Sequence, residues 1–247
     1  MGEHSQIIKL DATDSTNLYL RSLTRTKELS DLTCVVTENQ VKGRGQMGTS
    51  WQSEAGKNLT FSVLKRYGHL KAENQFAINA CVSLAIYDTL NSLNVPNLKI
   101  KWPNDIMSGS DKICGILIEN VLKSMTIKHS IIGIGLNVNQ TNFIGLQKVS
   151  SLKQKLSQSL DLDELLDALL KQLAKHLSQI ESLDLKMLWS NYERYLFRKD
   201  KPSTFKNAKN EVFMGFIRGV SQQGQLRIEM EDALFKEFGL KEVSLLN

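Results

Sequence analysis

Absences narrow the field first. The 247 residues contain three cysteines, Cys34, Cys81 and Cys114. An odd, widely spaced set builds neither a disulfide framework nor a zinc site. The four histidines, His4, His69, His129 and His176, show no metal-ligand spacing, so no structural metal is expected. No apolar run approaches the roughly 20 residues that a membrane span needs. The early apolar patch Ile7-Ile8-Lys9-Leu10 is short and broken by a lysine, unlike a signal peptide. A cytoplasmic protein with no membrane partner is the expectation. A dense Lys/Arg block is missing as well. The net charge of +5 suits a polyanionic ligand or an acidic partner and falls short of a nucleic-acid footprint. There is no internal repeat and no low-complexity segment. With 41% hydrophobic and 23% charged residues, the chain can bury the core of one large domain, or of a domain with an appendix.

What stands out is the stretch Lys42-Gly43-Arg44-Gly45-Gln46-Met47-Gly48-Thr49-Ser50-Trp51. Its glycines let backbone N–H groups approach an anion. Arg44 adds a planar charged fork suited to phosphate. Trp51 offers a face for stacking on a base. The spacing Gly43-x-Gly45-x-x-Gly48 invites a dinucleotide-fold reading, which needs a helix opening at the last glycine. No helical period follows; a second strand does. The glycines therefore sit in a long loop between two strands, of a length that is usually functional or disordered.

Along the chain, Ile7 to Ala12, Thr33 to Glu38 and Asn58 to Leu64 read as strands. Asp14 or Ser15 caps a helix from Thr16 to about Leu23. Glu73 to Leu93 is helical, with Phe76, Ala80, Leu84, Tyr87 and Leu90 on one face. Leu98 to Lys101 and Lys112 to Glu119 read as strands that pair through a turn, bringing Lys101 and Lys112 to one edge of the sheet. Met125 to Val138 holds one or two more, with Gly133 and Gly135 where a ligand could approach. Leu162 to Ile180 is a helix laid on the sheet, and Leu185 to Leu196 another. From about Ser203 the pattern turns to short strands, a small cap that depends on the main domain.

Four blocks in order carry a resemblance: Gly43 to Trp51, Lys101-Trp102-Pro103-Asn104-Asp105, Lys112 to Glu119, and Ile132 to Asn139. Together with Asp14-Ser15-Thr16-Asn17 and the C-terminal Gly215 to Leu226 segment, the chain resembles the biotin–protein ligases over nearly its whole length. The resemblance implies an α+β fold, a mixed sheet backed by helices like that of class II synthetases and biotin–lipoate ligases. It places the catalytic domain at residues 1–198 and a small SH3-like barrel at 199–247.

The implied reaction joins biotin to ATP as biotinyl-5′-AMP, with Mg²⁺ on the phosphates, and then passes biotin to a lysine of a biotin carboxyl carrier domain. Lys112, Arg44 and Asp105 are the implied catalytic residues, with Asp105 orienting or helping to deprotonate the incoming lysine. Ser15, Thr16, Asn17, Gln40, Gly43, Arg44, Gly45, Gln46, Lys112, Gly115, Gly133 and Gly135 would hold biotin. Arg44, Trp51, Lys101, Asn104, Lys112 and Asn137 would hold ATP and the adenylate. The loop 42–52 would order over the adenylate and keep water out. Gln46 and Met47 stand where the family often has basic residues, and Glu54-Ala55 where it usually has Ser-Pro. Six residues before Ile7 hold no helix-turn-helix, so no sequence-specific DNA binding is expected. The rival readings are a lipoate or octanoate ligase and a non-catalytic biotin sensor. A monomer and a homodimer both fit.

Overall fold

The computed structural model describes residues 6–182 and 184–246, with Met47 described through its backbone alone. His4 lies outside the described residues. Seven strands form one sheet: β1 (Ile7–Thr13), β2 (Cys34–Gln40), β3 (Leu59–Arg66), β4 (Leu98–Lys101), β5 (Asp105–Ser108), β6 (Asp111–Lys123) and β7 (Thr126–Leu136). Their order is β1-β2-β3-β7-β6-β5-β4, with only β1 and β2 parallel. That pair is bridged by helix α1 (Thr16–Thr26), as a parallel connection requires.

The two faces of the sheet are covered differently. On one, α1 packs Leu20 against Val35, Leu64 and Ile131. On the other lies α2 (Gln75–Ser92), in which every residue from Ala77 to Ile86 is buried. The single apolar face expected for this helix is therefore too narrow. The helix is enclosed by β4, β5 and β6 of the sheet and by α4 (Leu162–Ser178) and α5 (Leu185–Arg194). The α4 stripe Leu165, Leu166, Leu169, Leu173 and Leu177 is buried mainly against α2, with slight contact to the sheet, so this helix forms a second layer. Each leucine so buried contributes about 2 kcal/mol. A one-turn helix, α3 (Leu152–Leu156), is closed by a capping box between Ser151 and Gln154.

The expected direct pairing of the Lys101 and Lys112 strands is replaced by an extra strand. β5 starts two residues after Pro103, and both β4 and β6 pair with it.

The last strands, β8 (Pro202–Asn207), β9 (Val212–Val220), β10 (Leu226–Glu229), β11 (Phe235–Phe238) and β12 (Val243–Leu246), form a five-stranded antiparallel sheet in the order β11-β10-β9-β8-β12. Phe205, Phe213 and Phe238 stack through it with centroids 5.5 and 5.6 Å apart. Its core is continuous with that of the main domain. Among the described residues, no helix is long and apolar enough to cross a membrane.

Candidate active site

A row of residues runs across the sheet through its hydrogen-bonded register. Thr60 on β3 faces Gly135 on β7, Gly135 faces Gly115 on β6, Gly115 faces Asp105 on β5, and Asp105 faces Lys101 on β4. Residues in one cross-strand row share a face. The two central positions have no side chain, so the row is a trench with Thr60 at one end and two charged groups at the other. The next row holds Ser62, Gly133 and Leu117. Here the missing side chain makes room for protein: a Cβ at Gly133 would overlap the Asn17 amide. The trench opens into a cleft of about 480 Å³.

The N-terminus of α1 forms one end of the cleft. Ser15 is the N-cap residue but makes no side-chain cap; instead the Thr16 N–H donates to Gln40 Oε1 at 2.9 Å. This ties the end of β2 to the helix start. Asn17 Nδ2 donates to Glu119 Oε2 at 2.9 Å and to the Leu117 carbonyl at 3.3 Å, and its Oδ1 accepts from Ser62 Oγ at 2.6 Å. Every polar atom of the Asn17 side chain is thus engaged within the protein.

The glycine loop has its own closed form. Trp51 N–H donates to the Gly43 carbonyl at 3.0 Å and Gly45 N–H to the Thr49 carbonyl at 2.7 Å, around a 3₁₀ turn at Gln46–Gly48. Gly43 and Gly45 are required sterically, because a Cβ at either would overlap Trp51 backbone or the Thr49 hydroxyl. The loop sets the Trp51 ring over Gly135 and Gly115, where a Cβ on Gly135 would collide with it. Trp51 Nε1 is buried with no hydrogen-bond partner among the described residues. A buried orphan donor is costly, and an acceptor arriving in the cleft would satisfy it.

At the charged end, Lys112 Nζ lies 2.6 Å from Asp105 Oδ1 and 5.7 Å from the centroid of a Trp51 ring. Burial pushes the Lys101 ammonium below its ordinary pKa; Asp105 opposes that shift, and Lys112 and Lys148 add to it. Arg44, Lys101, Lys112 and Lys241 line the cleft with Asp105 as the one carboxylate among the described lining residues. This excess of positive charge suits a phosphorylated substrate.

The cleft gathers Ser15, Thr16, Asn17, Gln40, Arg44, Gly45, Gln46, Trp51, Lys101, Asn104, Asp105, Lys112, Gly115, Gly133 and Gly135 along its lining. Gly43 and Asn137 stand outside it. Asn137 is buried just past the end of β7, with Nδ2 donating to the Ser150 carbonyl at 3.0 Å. Asn104 uses its amide to bind the Ile116 carbonyl at 2.7 Å, which fixes the turn before β5 to β6.

Sequence reasoning missed the opposite wall. Phe205, Ile217, Leu226, Val243 and Leu245 reach the cleft from the C-terminal sheet. Trp102 joins the two parts by donating its Nε1–H to the Gly224 carbonyl at 2.8 Å. Their only signal is apolar alternation in the late strands, which does not say what they face.

Residues 10–137 match the Biotin/lipoate A/B protein ligase family. In sequence, the chain is 30% identical over 246 residues to the bifunctional ligase/repressor BirA of Escherichia coli, covering 96% of this chain and 73% of that protein. It is 28% identical over 224 residues to the biotin–[acetyl-CoA-carboxylase] ligase of Paracoccus denitrificans, covering 88% of this chain and 91% of the relative. In structure, it superposes on the Aquifex aeolicus biotin protein ligase in complex with biotin and ATP with a TM-score of 0.81 and 25% identity, over 99% of this chain and 100% of the other.

Proposed function

Because the chain belongs to the Biotin/lipoate A/B protein ligase family, we infer that it is an ATP-dependent biotin–protein ligase. The observation that carries the reading is the trench itself. Its floor is glycine, polar groups from α1 and β2 stand at one end, and Lys112 and Lys101 stand at the other. A bicyclic ring fits over glycines once the Trp51 indole that covers them swings aside, a ureido group needs hydrogen-bonding partners when buried, and a carboxylate reacting with a phosphate needs cations. A lipoyl or octanoyl chain has no use for the Thr16 and Gln40 pair. That pair favours biotin over the fatty acids, and the Paracoccus and Aquifex relatives are named for biotin.

The chemistry follows from this placement. A biotin carboxylate oxygen attacks the α-phosphorus of ATP, the bond to the bridging oxygen breaks, and pyrophosphate leaves. Two anions meet in that step, so its transition state is stabilised by fixed positive charge. Lys112 is held for this by Asp105 and by the Trp51 face. Arg44, which has no ion-pair partner among the described residues, is the loop cation for the adenylate. In the second step a lysine amine of the acceptor attacks the acyl carbon, AMP leaves, and the amine loses a proton. Asp105, freed when Lys112 turns to the phosphate, would orient that amine.

Mg²⁺ supplies further charge neutralisation when it accompanies ATP. Among the described residues no cluster of three His, Cys, Asp or Glu is arranged to hold a metal. The nucleotide phosphates are therefore the expected ligands. The acceptor is a carrier domain of a biotin-dependent carboxylase, by analogy with the Paracoccus relative.

The test is pyrophosphate release from ATP and Mg²⁺ with biotin, lipoate, octanoate or no acid. Release that depends on biotin supports the reading. Release with a fatty acid alone moves the chain to the lipoate branch, and no release with any acid leaves a sensor.

A further inference from the structure

The hydrogen bonds beneath the trench run in one direction, and two residues outside its lining set that direction. An ionised carboxylate and a backbone carbonyl can only accept. Glu119 Oε2 and the Leu117 carbonyl both face Asn17, so Nδ2 is the end of the amide that points to them. The Asn17 oxygen must then face Ser62 Oγ, 2.6 Å away. Ser62 has one hydroxyl proton and gives it to Asn17. Its other close neighbour is Thr16 Oγ1 at 2.7 Å, which must therefore donate to Ser62. The Thr16 contact with Gln40 Oε1 is longer, 3.3 Å, and competes weakly for that proton. With its proton committed, Thr16 Oγ1 turns only lone pairs toward the cleft. Gln40 is oriented independently. Its Oε1 takes the Thr16 backbone N–H, which leaves Nε2, with no protein partner among the described residues, as the pole available to a ligand. Ser62 is 0% exposed and Asn17 3%, so solvent does not scramble the order.

We propose that Ser62 and Glu119 are positioning residues that fix the polarity of the ring subsite, making Thr16 an acceptor beside the Gln40 donor. The cleft then selects a ring that carries an N–H next to a carbonyl, which is a cyclic urea. A ring of the same size with oxygen in place of that N–H meets lone pair against lone pair. The inference rests on the ligase reading above and names the residues behind its choice of acid.

The experiment compares calorimetric binding of biotin and of its cyclic carbamate analogue, in which one ring N–H is replaced by oxygen. It uses the wild-type chain and Ser62→Ala, with melting temperature as the control for folding. Ser62→Ala frees the Thr16 hydroxyl to rotate and donate. Biotin binding should weaken about 10- to 100-fold, the analogue should weaken less or tighten, and the KM for ATP should hold. A merely structural loss would weaken both acids together. If Ser62→Ala does not fold, Glu119→Ala decides, with a change of the same sign and smaller size. A preference for biotin over the analogue that matches wild type in the folded variant overturns the proposal. Wild-type protein that binds no biotin sinks the ligase reading, and the inference with it.

Discussion

Lys112 and Asp105 form an ion pair at 2.6 Å although they lie on neighbouring strands, with Asp105 directly opposite Gly115. The glycine leaves space for the lysine stem: a Cβ there would stand 3.3 Å from Lys112 Nζ. The pair is partly open to solvent, so its value lies in aiming the ammonium more than in stability. Lys112→Ala should lower biotin-dependent pyrophosphate release by about 10²- to 10³-fold, the usual loss of one transition-state charge partner. Asp105→Asn keeps the cation but frees it. We expect about a tenfold fall in adenylation and a larger fall in transfer to the carrier protein. Measuring the two half-reactions separately checks this, and equal losses in both would remove Asp105 from the transfer step.

Trp51 covers the glycines of the trench, and its position is set by the absence of a Cβ at Gly135. Gly135→Ala should therefore move the indole without touching the core. The expected results are red-shifted tryptophan emission, faster trypsin cleavage after Arg44, and a biotin KM raised on the order of tenfold, or about 1.4 kcal/mol of lost fit. In wild-type protein, biotin with ATP should slow cleavage at Arg44, since loop 42–52 would close over the adenylate. Cleavage at the same rate with and without ligand would rule out that closure.

Much of this site was legible because its signals are local. Alternating glycines in Ile132 to Leu136 mark a strand with a ligand-sized gap, and Gly43, Gly45 and Trp51 mark a loop that needs close backbone contacts. What stayed hidden depends on register and docking. β5 is four residues long and follows Pro103 closely, so its pattern is too short to read. β11 reads Phe235-Lys236-Glu237-Phe238 and is largely exposed, which blurs its alternation. Ser62 is a buried serine in an apolar strand. Only the register beside Gly133 shows that it meets Asn17 and Thr16. The C-terminal wall of the cleft is fixed by tertiary contact alone.

Lys101 gives a pH dependence with a definite sign. Burial lowers its pKa from the ordinary 10.5, so the folded protein disfavours its charged form. That costs stability at neutral pH, and the cost disappears as pH rises through the depressed value toward 10.5. Wild type should therefore gain stability relative to Lys101→Met over that alkaline window, as chemical denaturation would show. Activity runs the other way. If the ammonium helps neutralise phosphate, adenylation falls as pH rises through the same window, and Lys101→Arg, which does not deprotonate there, extends the activity upward. An alkaline limb unchanged by Lys101→Arg would assign the loss to another group.

The C-terminal sheet meets the main domain through Trp102, and this contact tests whether the two parts work as one. Trp102→Phe deletes the 2.8 Å hydrogen bond to Gly224 and leaves a part-buried carbonyl without its donor. The cost should be about 1–2 kcal/mol, or a fall in melting temperature of roughly 2–8 °C for a chain of this size. A second tie runs from the Val220 N–H to Glu193 Oε1 at 2.9 Å, beside Gly219, where a Cβ would overlap the Glu193 carboxylate. Because Phe205, Ile217 and Leu226 belong to the same continuous core and also wall the cleft, we propose that residues 199–247 form a dependent domain. Residues 1–198 alone should then expose that core, aggregate or lose cooperative unfolding, and bind biotin weakly. A soluble 1–198 fragment that melts cooperatively and binds biotin as the whole chain does would show that the catalytic part stands alone, with the C-terminal wall serving only the carrier protein.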